Sequence, residues 1–219
     1  DYGGGGGGYI DLLGYTFCRG RIFDHCEKDE GQYEARTPLF WACGSALFLR
    51  LEAARQIGFL DLDYLAHFEE IDLCWRLQLA GYRIVAVPAS LVYHHSGFSL
   101  PPSTFRKNYL NHRNNLVMLC KNQTPERLLW LLPLRLGLEF FAVLNYLRQG
   151  QWSSVPAPLA ALLWCLTHPL NIYRRRRKSQ ATRRVKTARD GIYPGSILYQ
   201  HFARGIKRAS ALIPEGNSL

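Results

Sequence analysis

The chain has 219 residues, enough for one domain with a real core plus extensions. Its net charge of +10 sits at one end: residues 1–150 carry fifteen Lys/Arg and fifteen Asp/Glu, whereas residues 151–219 carry twelve Lys/Arg against Asp190 and Glu215. The six cysteines form no C-x-x-C pair and no disulfide-like framework, which argues against a disulfide scaffold and for free thiols in a reducing, cytosolic setting.

In chain order, Gly3 to Gly8 is too uniform for a dinucleotide fingerprint and reads as a flexible loop. Residues 11–38 are polar and turn-rich, with one short strand expected. Trp41, Gly44 and Ser45 form a tight turn that a ligand could approach closely, with an aromatic ring suited to a sugar face or to the core. The apolar run Ala46 to Arg50 suits a buried strand, and Leu51 to Ile57 a helix closed by Gly58.

The stretch His67 to Gly81, HFEEIDLCWRLQLAG, is the most informative in the chain. Glu69, Glu70 and Asp72 crowd into four positions at the start of a helical pattern that stops at Gly81. Like charges this close raise one another's proton affinity, so a fold that keeps them has a cation or a proton to manage nearby, unless they simply favour the positive end of the helix. Arg76 lies one turn beyond Asp72 and is expected to pair with it. Arg83 to Pro88 reads as a strand stopped by proline, and Ser90 to His94 as a second. Imidazole at a strand end can join carboxylates around a cation, although by itself His94 reads more readily as a hydrogen-bonded surface residue.

After Pro101–Pro102 the pattern turns helical, placing Phe105, Tyr109, Leu116, Leu119 and Cys120 near one face. Two apolar stretches follow, at 128–147 and 155–173, each about as long as a bilayer crossing needs. Arg135 and Glu139 interrupt the first, each costing roughly 2.5–3.5 kcal/mol at a bilayer centre. Pro156, Pro158, His168 and Pro169 interrupt the second. Helices lying in the membrane interface, or a shallow hairpin, suit this composition better than two crossings. Arg174 to Lys178 then falls where anionic headgroups would be. The basic end has no interleaved aromatics and no nucleic-acid motif, so no nucleic-acid partner is expected.

Trp41, Gly44 and Ser45; Arg50, Gly58 and Asp61; Glu69, Glu70, Asp72, Leu73 and Arg76; and Val92 with His94 occur in an order that resembles the acceptor-side half of family 2 glycosyltransferases. These are inverting enzymes of the GT-A type, and the likeness is to the rhamnosyltransferase-like bacterial branch, over roughly residues 1–122. The resemblance implies an α/β fold: residues 1–100 as the C-terminal half of the catalytic domain, 101–178 as a helical membrane-associating extension, and 179–219 as a basic tail. It implies a nucleotide-sugar donor, a lipid-linked or cell-surface glycan acceptor, and Mg²⁺ or Mn²⁺ as cofactor. The nucleotide-binding half and its Asp-x-Asp motif are expected N-terminal of this chain, which alone is then expected to be inactive.

Glu70 stands where the family carries its presumed base, with Glu in place of Asp, so Glu69 stays open as the alternative; Asp72 completes the catalytic set. Trp41, Gly44, Ser45 and Arg76 are the implied substrate-side residues, and His94 approaches the metal or diphosphate. Asp61 and Asp63 have the letters of the metal motif but belong to a different block. Arg113 and Asn114 match a pair found where the catalytic domain meets the extension; lipid phosphate or a solvated helix face would account for them. The protein is expected at the cytoplasmic face of the membrane, peripheral or monotopic. The competing readings are a basic module binding membrane surfaces, with structural acids, and a catalytically inactive fragment.

Overall fold

The structure is a computed structural model that describes residues 5–93 and 104–213; His94, His95 and Pro101–Pro102 lie outside the described residues. The chain divides into two compact units, one comprising residues 1–60, 73–94 and 183–219, the other residues 61–72 and 95–182.

The first unit is mixed α/β. Strands β1 (Gly8–Asp11), β2 (Thr16–Cys18), β3 (Arg21–Ile22) and β4 (His25–Cys26) form an antiparallel meander. A second sheet pairs β5 (Thr37–Leu39) with β6 (Ile84–Ala86), antiparallel, Thr37 opposite Ala86. Helix α1 (Leu51–Ile57) ends at Gly58, whose φ of 81° supplies the left-handed cap. The turn-rich 11–38 region thus holds three of the strands of the first sheet where one was expected. They were hidden because strands of two or three residues carry no readable alternation.

Residues 183–213, read as a basic tail, return to this sheet. Strand β7 (Ile192–Tyr193) adds to β1 in parallel, making the sheet order β4-β3-β2-β1-β7. The return is tight: at Gly191, with φ of +72°, an added Cβ would meet Phe40 N at 2.0 Å. Ser210 closes the end by donating its N and Oγ to Glu27 at 3.0 and 2.7 Å.

Three readings are corrected here. Gly7 and Gly8 are packed and not loose: a Cβ would meet Trp41 O at 2.5 Å and Phe17 O at 2.1 Å respectively, so only glycine lets these backbones touch. Ala46 to Arg50 is not a buried strand; Gly44–Ala46 is a 3₁₀ turn and Phe48 behind it is 89% exposed. The described part of the run expected as a last strand, Ser90 to Tyr93, is likewise irregular and exposed.

The second unit is helical: α3 (Phe105–Asn122), α4 (Pro125–Arg148), α5 (Pro156–Thr167) and α6 (Pro169–Ala181). Thr104 caps α3 by accepting from Lys107 N, and Pro sits in the first turn of each of the other three, where its missing N–H costs nothing. Arg135 and Glu139, the two charges inside the first apolar stretch, are fully buried and face each other at 2.9 Å. Glu139 also takes His112 Nδ1 of α3 at 2.5 Å. Burial alone would raise the Glu139 carboxyl, but His112 and Arg135 outweigh it and hold it below the usual range. With its charges turned inward, α4 presents Leu129, Leu136, Phe140, Leu144 and Leu147 outward.

The arginine run is not a simple headgroup patch. Arg175 is buried and donates Nε to Asp61 Oδ2 at 2.9 Å, and Arg176 donates to the carbonyls of Cys120 and Gln123 at 2.6 and 2.8 Å. Arg174 and Arg177 are exposed.

Candidate active site

Helix α2 (Glu69–Leu79) carries the acidic segment; its first turn, Glu69 to Asp72, belongs to the helical unit and the remainder to the α/β unit. The chain reaches it through Leu65, His67 and Phe68, with φ of 64°, 66° and 70°. Five described non-glycine residues have positive φ, and these three lie within four positions. Each costs on the order of 1–3 kcal/mol and persists only where the surroundings hold it.

Asn114 and Arg113 of α3 do the holding. The Asn114 amide nitrogen donates to the carbonyls of Tyr64, Ala66 and His67 at 3.0, 2.8 and 2.8 Å. Arg113 Nη2 donates to those of Asp63 and Tyr64 at 3.0 and 3.2 Å. Both residues are buried, so the solvated helix face read from the sequence is corrected: these polar groups have partners about fifty residues away.

Glu69 and Glu70 behave differently from Asp72. Each of the two glutamates has one buried carboxylate oxygen, Oε2, with no hydrogen-bond partner among the described residues, and so has the neighbouring His67 Nε2. Burial first, and the charge of Glu69 second, push the Glu70 carboxyl up to about 7, against the opposing effect of the Glu70 and Ile71 backbone N–H groups. Burial, then the charge of Lys107, lowers the His67 imidazole, with Glu69 acting the other way. A carboxyl near neutrality with an unclaimed oxygen can accept a proton from a bound hydroxyl.

Asp72, expected to share the chemistry, has both of its oxygens bonded by side chains. It is fully buried, with Oδ1 accepting from Tyr64 Oη at 3.2 Å and Asn122 Nδ2 at 2.8 Å, and Oδ2 from Lys121 Nζ at 2.8 Å. Lys121 also reaches Asp61 at 2.6 Å, and Arg175 lies over the Tyr64 ring at 4.4 Å. Burial would raise the Asp61 carboxyl, but Lys121 and then Arg175 hold it below its ordinary value. This network was not foreseen, because Lys121, Asn122 and Arg175 lie 49 to 114 residues along the chain from the acids they bond.

The residues expected on the substrate side lie in the α/β unit. Trp41 is 6% exposed and donates its indole N–H to Tyr9 O at 3.3 Å, so it serves the core and has no free face for a sugar. Gly44 and Ser45 form the 3₁₀ turn, with Ser45 Oγ 3.1 Å from Cys43 Sγ. Arg76 is buried and donates to the carbonyls of Ile57 and Phe59, each at 2.7 Å, tying α2 to the end of α1. Gln78, which sequence reasoning passed over, bonds Leu39, Phe40 and Asp190 carbonyls and accepts from the Arg189 and Asp190 N–H groups. His94 lies outside the described residues. Among those described, no group of three His, Cys, Asp or Glu side chains is placed to hold a metal ion, and Asp61 is already taken by two cations.

Residues 18–175 match the family described as Glycosyl transferase family group 2. The chain is 32% identical over 112 residues to the N-acetylglucosaminyl-diphospho-decaprenol L-rhamnosyltransferase of Mycobacterium tuberculosis, covering 51% of this chain and 36% of that protein. It is 37% identical over 60 residues to the rhamnosyltransferase WbbL of Escherichia coli K12, covering 27% of this chain and 23% of that one. The matched stretches thus span about a third or less of these relatives. No solved structure matches the chain.

Proposed function

This chain belongs to glycosyl transferase family group 2 and is rhamnosyltransferase-like, and on that premise we propose that it moves a sugar from a nucleotide-sugar donor to a lipid-linked or cell-surface glycan, with inversion and with Glu70 as the base. The observation that carries the reading is the Glu69–Glu70 pair at the head of α2, each with a buried oxygen left open, and with Glu70 raised to about 7. Glu70 takes the proton of the acceptor hydroxyl as that oxygen attacks the anomeric carbon. Glu69 keeps the proton affinity of Glu70 high enough to matter. Asp72, Lys121 and Asn122 anchor the turn that presents them.

A divalent cation, Mg²⁺ or Mn²⁺, belongs to the same proposal as the partner of the leaving diphosphate. The described residues do not form a site that fits it, and no step of the base chemistry runs through it. The placement at the membrane surface rests on α4, the described helix long and apolar enough by length and composition to cross a bilayer. Its charged pair points inward and its apolar side chains outward, as they do on the shorter α5 at Leu159, Leu163 and Leu166. We assign both helices to the interface, with Arg174 and Arg177 toward anionic headgroups.

The test is Glu70→Gln in the full-length enzyme. Turnover should fall by about two to four orders of magnitude with the donor KM little changed. In the unaltered enzyme kcat/KM should fall off below about pH 7 as Glu70 takes up its proton. Near-full activity of Glu70→Gln beside an inactive Glu69→Gln would move the base by one residue.

A further inference from the structure

The strained approach to α2 and the side chains that hold it point to a role outside the carboxylates. Leu65, His67 and Phe68, none of them glycine, sit at positive φ immediately before Glu69. One side chain, Asn114, spans this stretch through three carbonyls, and it is fully buried. Its amide cannot turn over, because Arg113 Nε and Nη2 donate to its Oδ1 at 2.9 and 2.7 Å and so keep the NH₂ group toward the loop. Arg113 is fixed in turn, with its guanidinium 5.2 Å from the Trp164 ring and 5.6 Å from that of Tyr109.

We infer that Asn114, oriented by Arg113, is a positioning residue: it holds the 64–68 loop with its three positive-φ residues in place and thereby sets where α2 begins and where Glu69 and Glu70 point. An amide is required there. A carboxylate would set negative oxygens against three carbonyls, and an aliphatic group would leave those carbonyls without their donor. The value of this placement to turnover rests on the assignment of Glu70 as base.

The experiment is Asn114→Asp in the full-length enzyme, a change of almost no volume that keeps the acceptor for Arg113 and removes the donor to the loop. Two quantities are read: the titration midpoint of Glu70 by carbon-detected NMR of glutamate-labelled enzyme, and kcat with the donor KM. Besides burial, the groups that bear on the midpoint are Glu69 and the Glu70 and Ile71 backbone N–H groups, all unchanged in the variant, and the carboxylate that the variant adds would raise the midpoint, so a fall cannot come from its charge. Once the loop relaxes and water reaches the carboxylate, the midpoint should drop from about 7 toward the ordinary 4.5. Turnover should fall about a hundredfold, the usual effect of a small misplacement, at a nearly constant donor KM.

A folded variant with the midpoint unmoved overturns the inference whatever happens to kcat, since a purely structural role would alter melting and leave the titration alone. If the midpoint drops while kcat is unchanged, the positioning stands and Glu70 is not the base. Should Asn114→Asp not fold, Arg113→Lys decides in the same way, because it keeps the charge but gives up the two-point grip on the amide.

Discussion

Replacing Glu70 by Gln should make the folded protein more stable at alkaline pH and leave it unchanged in acid. The sign follows from the raised carboxyl. Its folded value is about 7 against an ordinary 4.5, so the folded state binds the proton more tightly than the unfolded chain does. Folding is therefore favoured at low pH, and stability declines as pH rises from 4.5 toward 7, where the carboxylate must ionise inside the protein. At about 1.4 kcal/mol per tenfold change in proton affinity, the cost is roughly 3 kcal/mol at pH 8 and a few tenths or less at pH 4. Glutamine has the shape of the protonated form and carries no such cost. Urea denaturation of the wild type and Glu70→Gln at pH 4, 6 and 8 should thus give curves that coincide at the lowest pH and separate progressively above it, the variant being the more stable. Glu69→Gln should recover a smaller part of the same gap, since it removes the second cause of the shift and leaves the burial. A difference that does not vary with pH, or a variant less stable at pH 8, would refute the account of Glu70 as a partly buried carboxyl with raised proton affinity.

Three further outcomes are expected. Lys121→Met removes the cation bridging Asp61 and Asp72, leaves a buried charge exposed to its own desolvation, and should destabilise the helical unit by about 3–5 kcal/mol at neutral pH. Because the Asp61 carboxyl is held below its ordinary 3.8, that loss should shrink as pH falls through the folded value, which acid titration of the two proteins will show. Gly191→Ala forces a Cβ to within 2.0 Å of Phe40 N at positive φ and should cost about 2 kcal/mol or more in thermal melts; a neutral result would mean that the returning C-terminal segment does not pack on the sheet. The protein should sediment with membranes, bind anionic vesicles better than neutral ones, and be partly released by high salt or carbonate, whereas resistance to carbonate with tags flanking α4 in different compartments would establish a crossing.

Local chemistry alone determined much of this protein. The acidic helix from Glu69, the left-handed stop at Gly58, the strand before Pro88 and the helical character beyond Ser103 all follow from spacing and from the conformations that glycine and proline allow or forbid. The order of the motif blocks was enough to indicate the family, and the crowding of Glu69, Glu70 and Asp72 at a helix start was visible in the spacing alone. Sequence could not say which polar groups are buried, because burial is set by partners far along the chain. Asn114 finds Tyr64 fifty residues back and Arg175 finds Asp61 across 114 residues. Nothing in RRRRK distinguishes Arg175, which turns inward, from the exposed Arg174 and Arg177, and nothing in NHRNN marks Arg113, Asn114 and Asn115 as buried. The same distance separated Asp72 from its neighbours in their partners: three acids in four positions look alike, yet only the tertiary structure brings Lys121, Asn122 and Tyr64 to one of them and leaves an oxygen open on each of the other two. Trp41 joined the core, and Ile192–Tyr193 joined the sheet beside β1, for the same reason: a two-residue strand or a lone ring has no periodicity of its own and takes its place from whatever surface the rest of the chain presents.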